Sequence, residues 1–148
     1  MKTSPVAMCG ALLASLFLGA CSMTPMMPVS SPMVARLSGT NEVPSVPTNG
    51  NGTAEVNFDK QTKLMGWTIT YSGLTGPATA AHFHGPAAIS ENAGVVVPLT
   101  GSLASPITGS ATLTDAQAAD LMAGKWYLNL HTAANPGGEI RGQVNVAR

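Results

Sequence analysis

The stretch Thr53-Ala54-Glu55-Val56-Asn57-Phe58-Asp59-Lys60-Gln61-Thr62-Lys63-Leu64-Met65-Gly66-Trp67-Thr68-Ile69-Thr70-Tyr71-Ser72 reads as a β-hairpin. Ala54, Val56 and Phe58 fall on one face of an extended segment, and Thr53, Glu55 and Asn57 fall on the other. This two-residue period marks a half-buried strand. Asp59-Lys60-Gln61-Thr62 is a turn, and Leu64 to Ser72 alternates again with Met65, Trp67, Ile69 and Tyr71 on its apolar side. The hairpin sets the class as all-β.

Working outward, Met33 to Gly39 is a first strand, followed by a loop of turn formers from Thr40 to Asn51. Downstream, Leu74 to Thr79 crosses to Ala81-His82-Phe83-His84-Gly85-Pro86, a strand that runs into a loop broken by Pro86. Gly94 to Leu99, with its three consecutive valines, predicts a buried strand, and Ile107 to Leu113 predicts another. Thr114-Asp115-Ala116-Gln117 is a capping box that opens one short helix to Ala123, with Gly124 as its stop. Lys125 to Thr132 and Glu139 to Val146 are the closing strands. Roughly eight short strands at regular spacing predict an antiparallel β-sandwich or flattened barrel with one helix, over residues 34–148.

The first twenty residues stand apart from this domain. Lys2 and the apolar run Val6 to Ala20 read as a signal peptide, because the run is too short to span a membrane comfortably. Leu18-Gly19-Ala20 before Cys21 resembles a lipobox, which makes Cys21 the lipid-bearing first residue of the mature chain. An ordinary secretory signal cleaved nearby is the alternative. By resemblance to lipoproteins of two-membrane cells, Ser22 after the cysteine favours the outer membrane, facing the periplasm. Residues 21–33, rich in Ser, Pro, Thr and Met, read as a flexible tether. With Cys9 in the signal, the folded part holds no cysteine and relies on its core. Seven acidic and seven basic residues balance, and no basic patch suggests nucleic acid as a partner.

The chain has three histidines, and all lie in strand-like runs. His82 and His84 share a face opposite Ala81 and Phe83, while Tyr127, Asn129 and His131 share a face opposite Trp126, Leu128 and Leu130. If the two strands are neighbours, all the imidazole of the protein meets at one place. Glu139 and Arg141 share a face that hairpin pairing would bring beside the histidines. There Glu139 could accept from an imidazole N–H, and Arg141 could present a cation at the cavity mouth. A surface ion pair is the alternative for these two.

Three groups of residues carry a resemblance to the CHRD domain family, named after chordin. They are Leu37-Ser38-Gly39-Thr40-Asn41-Glu42-Val43-Pro44, then Ala81 to Pro86, then Asn129-Leu130-His131-Thr132 with Asn135-Pro136-Gly137-Gly138-Glu139-Ile140-Arg141-Gly142-Gln143. The resemblance implies an immunoglobulin-like or superoxide-dismutase-like all-β fold. The cysteine-rich modules that accompany the domain in chordin are missing here, so growth-factor antagonism is not carried over. Single-domain bacterial members look like exported proteins with a histidine-based metal site, which maps here to His82, His84 and His131.

An all-nitrogen ligand set without thiolate or dense carboxylate points to copper, with zinc as the alternative. Two function classes stay open. One is a copper enzyme that dismutates superoxide, with Arg141 as the catalytic cation and Asn129 and Glu139 supporting the ligands. The other is a metal carrier or protein-interaction module, and a zinc enzyme with an open water position is a further reading.

Overall fold

The computed structural model describes residues 30–147, so the segment expected to be a signal peptide, Cys21 and most of the expected tether lie outside the described residues. Among the described residues, nine strands, a short 3-10 turn at Gly39–Asn41 and one α-helix follow in order: β1 Ser30–Ser38, β2 Asn51–Asp59, β3 Leu64–Ser72, β4 Ala78–His84, β5 Val95–Pro98, β6 Ile107–Thr112, α1 Asp115–Met122, β7 Tyr127–Thr132, β8 Ile140–Gln143 and β9 Asn145–Val146. They form one antiparallel sheet in the order β5-β4-β7-β8-β1-β2-β3-β6, with β9 paired to β1. The sheet curls into a nearly closed barrel. Trp67 of β3 packs edge-on against Phe83 of β4, with ring centroids 5.4 Å apart, although the two strands lie far apart in the sheet order.

The β2–β3 hairpin forms as its alternation predicts. Val56 faces Trp67 and Phe58 faces Met65 in the register, and all four are buried. The turn is tied by Asp59 Oδ1, which accepts from the backbone N–H groups of Gln61 and Thr62. Lys63 takes the left-handed conformation that lets the chain re-enter β3. Inward-facing Phe58, Met65, Ile69, Ile107, Leu128, Leu130 and Ile140 are each fully buried or nearly so. At roughly 1.5–3 kcal/mol for each large apolar side chain removed from water, this single core is the main source of stability.

The helix is capped as expected. Thr114 Oγ1 accepts from the Gln117 N–H, Gln117 Oε1 accepts from the Thr114 N–H, and Gly124 at φ +69° ends the last turn.

Two expectations change. Strand β1 begins at Ser30, so the last four residues assigned to the tether pair with β2. The valine run forms an edge strand that pairs only with β4 among the described residues, leaving Val95 51% exposed and burying only Val97. Valine favours a pleated strand whether or not both faces are covered, so composition did not separate the two cases.

Candidate metal centre

Strand β4 lies between β5 and β7, and its register with β7 sets His82 opposite Asn129, His84 opposite Tyr127 and Ala80 opposite His131. Since β8 continues the ladder with Arg141 opposite Asn129, the polar side chains of β4, β7 and β8 share the outer face of the barrel, while Ala81, Phe83, Leu128 and Leu130 fill the core. The alternation fixed this arrangement. It did not predict that the outer face is covered: all six residues of β7 are buried.

The three histidines converge. One ring nitrogen from each of His82, His84 and His131 lies within 4.8 Å of the others. His82 Nδ1 is 3.1 Å from His131 Nε2, and the His82 ring meets the other two edge-on at centroid distances of 5.6 Å (His84) and 4.9 Å (His131). His84 is buried and His82 is half-buried, which makes His82 the solvent side of the cluster.

Two rings are held by backbone carbonyls. His84 Nδ1 donates to Ala93 O at 3.0 Å and His131 Nδ1 donates to Pro136 O at 2.9 Å. A carbonyl cannot donate, so both protons sit on Nδ1 and both Nε2 atoms present lone pairs. Burial first, then the neighbouring imidazoles, holds His82 below the ordinary histidine range. Burial likewise lowers His84 and outweighs the hydrogen bonds to Ala93 and Asn129, with smaller contributions from the charges of His131 and Arg141 in the same direction as burial. Deprotonated imidazole is the form that binds a metal.

Asn129 sits as expected beside the histidines, with Oδ1 3.0 Å from both His84 Nε2 and His131 Nε2. The other supporting residue, Glu139, and the expected catalytic cation, Arg141, do not. Glu139 is fully buried but touches no imidazole. Its oxygens accept from Thr48 Oγ1, the Thr75 N–H, Thr75 Oγ1 and Thr132 Oγ1, which ties two loops to the end of β7.

Arg141 is 1% exposed, so it stands neither at a cavity mouth nor in a surface ion pair. Its guanidinium lies 3.4 Å from the Tyr127 ring centroid and donates to Asn92 Oδ1, Ile89 O and Glu91 O. The segment between β4 and β5 folds over the sheet face and supplies those acceptors, so the cation is spent inside the protein. The face pairing of β8 was legible, but the covering loop was not.

Two residues not singled out by the sequence reading complete the site. Tyr127 stacks on His84 at 4.7 Å with an interplanar angle of 1°, and its hydroxyl donates to the same Ala93 O. Arg141 meets this ring from β8 and also holds the loop that carries Ala93, so it fixes the orientation of His84 at one remove. Glu42 is 8% exposed, and burial raises its carboxyl to about 7 against the opposing Arg141 charge and a hydrogen bond from Asn129. Its presence in Asn41-Glu42-Val43-Pro44, one of few acidic residues in a Pro-containing loop, was the available signal.

Comparison with curated proteins and with solved structures gives no significant match. A family model described as the CHRD domain matches residues 33–144, which takes in the whole histidine cluster and every strand that positions it. The chain therefore belongs to the CHRD domain family.

Proposed function

We propose that this is an exported protein, anchored by lipid at Cys21 to the outer membrane and facing the periplasm, that binds one copper ion through His82, His84 and His131 and dismutates superoxide. The observation that carries the metal reading is the convergence of three imidazoles, two of whose lone pairs are aimed by backbone carbonyls. Nitrogen ligands without thiolate suit copper(II) and zinc, and the usual affinity order places copper first. The half-buried His82 leaves one side of the cluster accessible to a small molecule.

Bound copper would supply one-electron cycling, which the conversion of two superoxide anions and two protons into dioxygen and hydrogen peroxide requires. The protein's part is to hold three neutral ligands and keep the ion from bulk water on three sides. Electrostatic attraction of the anion by Arg141 drops out, because that guanidinium is buried and hydrogen-bonded. The same observation favours a second reading, a non-enzymatic copper carrier using the same ligands.

Superoxide loss measured with copper-loaded protein, apo protein, equimolar free copper and loaded His131→Ala protein decides between them. Dismutation by loaded protein above free copper, and lost in the variant, supports the enzyme. Activity no greater than that of free copper overturns it and leaves the carrier. Membrane fractionation of Cys21→Ser protein tests the anchor: release is expected, and unchanged fractionation with unchanged N-terminal mass contradicts it.

A further inference from the structure

We propose that Asn129 is a fourth ligand, adding its side-chain carbonyl oxygen to the three imidazole nitrogens; this rests on the three-histidine reading above. His84 Nε2 and His131 Nε2 are both lone-pair atoms, since each ring's proton is committed to a backbone carbonyl on its other nitrogen. Both point at Asn129 Oδ1 from 3.0 Å, and that oxygen has no hydrogen to give. Three lone pairs facing one another at hydrogen-bond distance without a proton between them repel. A cation among them turns the repulsion into coordination.

Three edges of the set have coordination-shell lengths, and the ligand nitrogens all lie within 4.8 Å of one another. Bonds of ~2.0–2.1 Å at angles between about 90° and 109° place adjacent ligand atoms roughly 2.8–3.4 Å apart. The edges here are 3.0 Å for Oδ1 to His84 Nε2, 3.0 Å for Oδ1 to His131 Nε2 and 3.1 Å for His82 Nδ1 to His131 Nε2.

The far side of the amide explains why the oxygen faces inward. Glu42 is buried beside the NH₂ end of Asn129; burial raises its carboxyl, and the amide opposes that rise. Glu42 Oε1 is buried without a hydrogen-bond partner, an acceptor lying close to the Asn129 NH₂. Gly138 makes room for this meeting: a Cβ there would collide with Glu42 Oε1 and lie 2.7 Å from Asn129 Nδ2. With its NH₂ turned towards this unpartnered carboxyl oxygen, the amide presents oxygen to the imidazoles. The resulting set, three nitrogens and one neutral oxygen, accepts copper(II) or zinc and adds no charge to a buried site.

The competing arrangement turns the amide round, so that its NH₂ donates to the two imidazoles and only orients them. Replacement with Asp separates the two, because Asp keeps an oxygen ligand and loses both donors. Copper(II) affinity is measured by competition titration for the wild-type protein and for Asn129→Ala and Asn129→Asp, with electron paramagnetic resonance of each loaded form. Asn129→Ala is expected to bind about 10–100-fold more weakly. Its spectrum should keep coupling to three nitrogens and acquire coupling to exchangeable water. Asn129→Asp is expected to bind within about threefold of wild type or tighter, without that water. Equal weakening in both variants overturns the ligand assignment in favour of the orienting role, as does unchanged affinity in Asn129→Ala. Either result leaves the three-nitrogen signature intact. Absence of that signature in the wild type overturns the three-histidine reading and this inference with it.

Discussion

Replacing Glu139 with Gln removes one charge from a carboxylate that four donors surround. Thr48 Oγ1 at 2.7 Å and the Thr75 N–H at 2.8 Å reach Oε1, while Thr75 Oγ1 and Thr132 Oγ1, both at 2.6 Å, reach Oε2. Burial by itself would raise the carboxyl's pKa. The hydrogen bonds from Thr132, Thr75 and Thr48 together outweigh it and hold the group down to about 2, from an ordinary 4.5. Gln keeps one acceptor oxygen and sets an NH₂ group against the two hydroxyls on the other. Hydrogen bonds to a charged group contribute ~1.5–3 kcal/mol each, and rotation of the hydroxyls recovers part of two lost bonds, so a net loss of roughly 2–4 kcal/mol follows. Because the folded-state pKa is the lower one, the stabilisation is complete above about pH 4.5 and is lost as pH falls towards 2. Urea unfolding of both proteins across that range should show a gap of roughly 2–4 kcal/mol at pH 7 that narrows below pH 4.5 and nearly closes by pH 2. Copper affinity should not change, since Glu139 touches no imidazole. A gap under ~0.5 kcal/mol at pH 7, or one that does not vary with pH, would refute the reasoning.

Arg141→Gln should raise hydrogen exchange in the segment between β4 and β5, whose Ile89 and Glu91 carbonyls and Asn92 side chain the guanidinium holds; unchanged protection there would show that the loop does not need it. The variant's effect on copper should be a modest weakening through His84. Gly138→Ala forces a Cβ into a residue at φ +128° and against Glu42 and Asn129, so the melting temperature should fall by several degrees; a wild-type melting curve would contradict this packing. His82 and His84 have folded-state pKa values below the ordinary 6.5, so copper affinity should stay level from pH 8 down to about that value and decline only below it. A decline that begins above pH 7 would mean that the imidazoles are easier to protonate than their burial implies.

What the sequence made legible was periodic. Alternation in Thr53 to Ser72 announced the hairpin, and the same period put His82 with His84 and Asn129 with His131 on faces that strand pairing then joined. The capping box at Thr114 named the helix start because its two reciprocal hydrogen bonds are local. Roles that depend on a covering loop were not legible. Glu139 and Arg141 read as groups beside a site or on a surface because charged residues alternate with apolar ones in Glu139 to Val144. The segment around Ile89 to Asn92, which is remote in sequence and has no period of its own, buries Arg141. Threonines 48, 75 and 132 gather on Glu139 from three separate parts of the chain, and nothing local marks that convergence.

The central claim is that His82, His84 and His131 hold one metal ion together. Its most direct test is a copper(II) titration of the wild-type protein and the three single alanine variants, read by electron paramagnetic resonance. The wild type should take up one equivalent with nitrogen coupling from three imidazoles, and each variant should show coupling from two and bind far more weakly. Identical spectra and affinities across the four proteins would place the copper elsewhere and contradict the account.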